Sequence, residues 1–137
     1  MTGKELMVGD LVIYCKSNMY IARVREIRQT NDGEEMYISC DRDTRDTLYN
    51  DKEWHFFNCG ILHPIRLTPE ILLKNGFEKS LDDDGTHDRF TLVCGNVQFG
   101  VRFSNGVFQW TYPIDVRYVH ELQHLLRFCG IEKEIEL

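Results

Sequence analysis

Three features of the sequence predict an α+β fold. Short β-rich runs crowd the first 66 residues, a capped helix signal follows at residues 68–76, and a second strand-rich stretch leads into a closing amphipathic segment. The expected architecture is an N-terminal SH3-like small β-barrel (1–66), then a short linking helix, an antiparallel β-meander and a C-terminal amphipathic helix (67–137). Apolar residues make up 42% of the 137 and aromatics 12%. That is enough for a true core, so disorder is expected only at loop tips and at the C-terminus.

Each element has a local reason. "VGDLV" opens the first part: Gly9-Asp10 supplies a turn, and "DLVIYC" is a short apolar run with β-branched residues. "MYIARVREI" alternates, so Ala22 and Val24 share one strand face while Arg23 and Arg25 share the other. "EMYISC" is again β-rich, and Asn31-Asp32-Gly33 between these runs tolerates positive φ and predicts a hairpin. The polar stretch 41–53 reads as a long loop. "WHFFNCGILHPIRL" resumes the apolar pattern, with Pro64 placing its strand at an edge or near its end. In "LTPEILLKNGFEK", Thr68 is the N-cap, Pro69 suits the first helical position, Glu70 complements the positive end and Asn75-Gly76 stops the helix. "DRFTLVC", "VQFGVRF" and "VFQWTY" form the meander, separated by Cys94-Gly95-Asn96 and Ser104-Asn105-Gly106. Pro113 and Asp115 offer the start of the last helix and Gly130 its stop.

Composition narrows the function classes. No run approaches the roughly 20 apolar residues of a membrane helix, and the first residues show no signal-peptide pattern, so a cytoplasmic protein is expected. The five cysteines (Cys15, Cys40, Cys59, Cys94, Cys129) are widely spaced and contain no C-x-x-C pair, which predicts small buried thiols. The net charge of −6 splits into −2 over residues 1–66 and −4 over 67–137. Neither part has the basic surface that phosphate contacts require, so a protein partner is favoured over nucleic acid. The sequence leaves the oligomeric state open.

Two motifs invite chemistry. "LDDDGTHD" has the look of a calcium loop, but with Gly85 at the turn the first and last ligand positions fall on Ser80 and Thr91, so an acidic hairpin tip is expected. His120-Glu121-Leu122-Gln123-His124 is a literal H-E-x-x-H, the spacing with which a helix can hold zinc. The extended form of that motif needs Gly and His where Arg127 and Gly130 stand. At 100° per residue, Tyr118, Val119, Leu122, Leu125, Leu126 and Cys129 form the apolar arc. His120, Gln123, His124 and Arg127 then fall on the solvent side. The remaining C-terminal residues are expected to fray. His55, His63 or His87 would have to supply a remote third ligand. A Cys59–His55 pair lacks an orienting acid, and no nucleotide or hydrolase motif occurs.

The segments "PIRLTPEILLKNGFEK" (64–79) and "YVHELQHLLRFCGI" (118–131), with an early "GDLV", resemble a group of small bacterial proteins found near phage-like and mobile elements. The resemblance implies a shared fold and a cytosolic setting. The group carries no assigned activity, so it transfers no catalytic residue, cofactor or metal.

The sequence thus predicts a non-enzymatic interaction module with no cofactor and no catalytic residue. Tyr14, Tyr20, Tyr37 and Trp54 are its candidate aromatic binding surface. The alternative is a zinc-dependent hydrolase built on His120, Glu121 and His124.

Overall fold

The computed structural model describes residues 6–15, 19–29, 36–42, 56–58, 62–111 and 114–137. The predicted Asn31-Asp32-Gly33 turn, the loop over 43–53, Trp54, His55 and Cys59 lie outside these residues. The chain divides into two compact units, residues 1–65 and 66–137. Each is built on a five-stranded antiparallel sheet, and the described helices belong to the second.

The first sheet comprises β1 (Leu11–Cys15), β2 (Met19–Gln29), β3 (Met36–Arg42), β4 (Phe56–Asn58) and β5 (Leu62–Pro64), in the order β4-β3-β2-β1-β5. Among the described residues the expected barrel is not closed: β4 and β5 are the two edges of the sheet. Within the run 54–67, Phe56–Asn58 and Leu62–Pro64 are strands, and Pro64 ends β5 opposite Val12. Leu11 and Val12 are both buried although neighbouring side chains point to opposite faces, so β1 is covered on both sides. Ala22 and Val24 are buried as their alternation predicts. Arg23 turns back and donates from Nη1 to the Gly9 carbonyl at 3.0 Å. Asp10 is fully buried; its Oδ2 accepts the Met7 N–H at 2.7 Å and its own N–H donates to the Met7 carbonyl, which closes the turn before β1.

The second unit begins with α1 (Pro69–Lys74) and continues through β6 (Glu78–Leu81), β7 (Asp88–Cys94), β8 (Val97–Ser104), β9 (Val107–Thr111) and β10 (Ile114–Val116) to α2 (Val119–Phe128). Strand order follows chain order, β10-β9-β8-β7-β6. The meander is tight. Asn105 and Gly106 both take positive φ (54° and 75°), the geometry of the two-residue hairpin turn that matches strand twist. One face is apolar and buried: Phe90, Leu92, Phe99, Val101, Phe108 and Val116. Cross-strand pairing puts Arg89, Thr91, Gln98, Gly100, Arg102 and Gln109 on the opposite face. Cys94 stands exposed beside a hairpin turn and Cys129 is half-buried, so neither is the fully buried thiol the sequence suggests. Among the described residues, no helix is long and apolar enough to cross a membrane.

Both helices end alike. Gly76 (φ 86°) and Gly130 (φ 75°) take the left-handed conformation. The next residue, Phe77 or Ile131, donates its N–H to the carbonyl five positions back and buries its side chain. Their starts are joined too: Leu67 N–H donates to the Arg117 carbonyl at 2.9 Å, and Arg66 bridges to Tyr118.

Candidate functional site

The H-E-x-x-H segment does lie on a helix, but that helix begins at Val119, not at Asp115. Residues 114–116 are drawn into the sheet as β10, pairing with β9 and sharing the Gln109–Asp115 hydrogen bond. The helix also turns a different side inward. Val119, His120, Leu122, Gln123 and Leu126 are the buried residues, so His120 and Gln123 are not on a solvent face as the wheel predicts. The buried arc is shifted by something under one residue step of about 100°. Leu125 and Cys129, expected within the apolar arc, are half-buried.

Stacking supports the His120 ring. It lies nearly parallel to Tyr118 (centroids 5.8 Å, 7°) and meets His124 edge to face (5.6 Å, 70°). Glu121, which would be the general base of a zinc site, is committed elsewhere. Its Oε2 accepts the backbone N–H groups of Arg117 (2.6 Å) and Tyr118 (3.1 Å), satisfying donors at the helix start. Among the described residues, no third ligand-type side chain groups with His120 and His124. His63 lies exposed in β5 and His87 belongs to another cluster.

That cluster occupies the turn between β6 and β7, the acidic tip of the sequence reading. Asp82, Asp84 and His87 bring three ligand-type atoms within 4.8 Å of one another. A fixed cation already stands among them. Arg102, projecting from β8, places Nε 2.8 Å from Asp82 Oδ2, an ion pair off the ideal hydrogen-bond direction. Its Nη2 lies 3.3 Å from Asp84 Oδ2 and 2.6 Å from His87 Nδ1. Thr86 adds its backbone N–H (2.9 Å) and hydroxyl (2.5 Å) to Asp84 Oδ1. The Asp84 carboxyl is held well below its ordinary value by a side-chain hydrogen bond with Asp82, then by Thr86, with the Arg102 charge adding to both. The signal for this network was present as Asp-x-Asp-x-x-His. The calcium template misses it because the partner is an arginine 15 residues beyond His87.

The predicted aromatic surface is placed in part. Tyr14 and Tyr20 are directly opposed in β1 and β2. Tyr37 pairs with Arg28, eight residues further along β2, about 26 Å away at strand rise.

A different aromatic set stands out in the second unit. Phe77 meets Phe99 edge to face (6.2 Å), Phe99 stacks on Trp110 (6.1 Å, 18°), and Trp110 meets Phe128 edge to face (6.3 Å). This row starts in the core at Phe77 and ends on Phe128, which is 80% exposed at the end of α2. Sequence reasoning did not single out Phe128. Its signal was the position one turn past His124, next to Arg127. Comparison with family models, curated proteins and solved structures gave no match.

Proposed function

We propose that this chain is a non-enzymatic binding module and that Phe128 anchors a protein partner. The observation behind this reading is the aromatic row. Phe128 is a large apolar side chain presented to solvent, yet its ring rests on Trp110, which is itself braced by Phe99. A supported aromatic anchor loses little freedom on binding and is the residue type that dominates interface energetics. The net charge of −6 favours a protein over a polyanion. The first sheet fits the same reading. Its order, with β5 returning to β1, is what a rolled SH3-like sheet requires, and such small sheets serve as recognition surfaces. The cytosolic setting and the likeness to phage-associated bacterial proteins belong to this proposal as well.

The test is a photo-crosslinking residue at position 128, with one at exposed Glu70 as control. The protein captured from 128 alone is then purified and its affinity measured. Phe128→Asp should weaken binding at least tenfold while leaving the melting temperature unchanged. Equal affinity of the two chains for that partner would remove Phe128 from the function.

The mutual approach of His120 and His124 favours one second reading, a metal site on α2. Stoichiometric zinc in purified protein, lost in His124→Ala, would support it.

A further inference from the structure

The turn joining β6 to β7 presents one atom, His87 Nδ1, to two neighbours that make opposite demands on it. Arg102 Nη2, at 2.6 Å, can only donate, because a guanidinium has no lone pair to offer and does not deprotonate in proteins. Thr86 Oγ1, at 2.7 Å, already donates its single proton to Asp84 Oδ1, so toward His87 it is an acceptor. Nδ1 satisfies Arg102 only when it is bare, and satisfies Thr86 only when it carries a proton.

We propose that this turn is a proton-operated switch: neutral His87 shares the Arg102 Nη2 with Asp84, and protonated His87 leaves it to Asp84 alone. The charged groups around the imidazole are Asp82 and Asp84 on its own turn, Arg102 from β8, and the adjoining Asp88 paired with Lys79 of β6. Asp82 Oδ2 and Asp84 Oδ2 lie 3.6 and 3.7 Å from Nδ1, so an imidazolium replaces the lost donor contact with attraction to two carboxylates. No atom other than the proton is gained or lost. The Arg102 Nε keeps its ion pair with Asp82, and Nη2 keeps Asp84 Oδ2, 3.3 Å away. Arg89 is the cross-strand partner of Arg102 on that face, and its guanidinium lies over Gly100. Acidification in the range where histidines charge therefore trades the His87–Arg102 contact for an Arg102–Asp84 pair beside a second arginine on the outer face of the sheet. The device stands independently of the Phe128 surface.

The test is nitrogen-15 NMR of the intact chain from pH 8 to pH 5. At pH 8 the His87 ring should show Nδ1 bare and Nε2 protonated. As the pH falls, the Arg102 side-chain resonances should move with the same midpoint as the His87 ring. In His87→Gln they should stay fixed across the range. Thr86→Val removes the acceptor for the charged form and should make His87 harder to protonate than in the parent chain. A protonated Nδ1 at pH 8 would overturn the proposal. So would Arg102 resonances that ignore the His87 titration, or that still move in His87→Gln.

Discussion

Asn75 shows how much one buried amide can organise. It is 4% exposed and uses both ends of its side chain: Nδ2 donates to the carbonyls of Ile71 and Glu136 at 2.7 Å each, and Oδ1 accepts the Glu136 N–H at 2.8 Å. It pairs with residue 136 as a neighbouring strand would. Lys74 Nζ donates to the Leu137 carbonyl alongside. The C-terminal residues are therefore not frayed: Ile131 and Ile135 are buried at 3% and 2%. Asn75→Ala should cost about 1–3 kcal/mol in chemical denaturation, because it removes three hydrogen bonds of a buried site. A loss below about 0.5 kcal/mol would mean that water replaces the amide freely. At Asp84 the expectation concerns pH. Folding lowers its carboxyl from the ordinary 3.8, so the ionised form is the one the native turn favours. Its stabilising contribution is complete above the ordinary carboxylate range and is lost only as the pH falls through the lowered folded value. Carbon-13 NMR should find Asp84 still ionised at pH 3.8, and a half-titrated signal there would contradict the network. Asn75 did not announce this role. Asn75 carries the same letters as any helix stop, and its partner lies 61 positions away.

At the scale of elements, local chemistry was readable wherever it sufficed. Thr68 caps α1 by accepting the Ile71 N–H at 3.3 Å, Pro69 opens the helix, and Gly76 closes it, all from signals within ten residues. Asn105-Gly106 likewise dictates its own turn. The reading failed where a distant partner decided. Pro113 and Asp115 look like a helix start, but β9 offers residues 114–116 a ladder, and the helix starts only where Glu121 can accept the amides of Arg117 and Tyr118 just before it. Polarity alone sent His120 and Gln123 outward, yet both can be buried when rings or hydrogen-bond partners meet them. Gly130 offers a clean check of the helix stop. Nothing lies within 4 Å of a Cβ placed there, so Gly130→Ala should cost about 1 kcal/mol through backbone strain alone. Gly130→Asn, which tolerates the same conformation, should recover part of that loss. Thermal melts of the pair decide it, and two equally stable variants would show that the strain is absent.

For the whole molecule, the division at residues 65 and 66 predicts separable behaviour. The second unit combines a five-stranded sheet, two helices and a core rich in Phe and Leu, all from 66–137. A chain limited to those residues should fold cooperatively and keep dispersed NMR signals. Collapse into a broad, uncooperative melt would show that it depends on residues 1–65. The α+β class was legible because strand and helix periods are local properties. Closure of the first sheet was not, because the pairing of edge strands depends on partners far along the chain. The Asn75–Glu136 clasp sets a timetable for biosynthesis. The last turn of α1 leaves the ribosome early but lacks its final partner until some sixty further residues have been translated. A nascent chain stalled short of that point should carry an incompletely sealed second unit, open to proteases and chaperones.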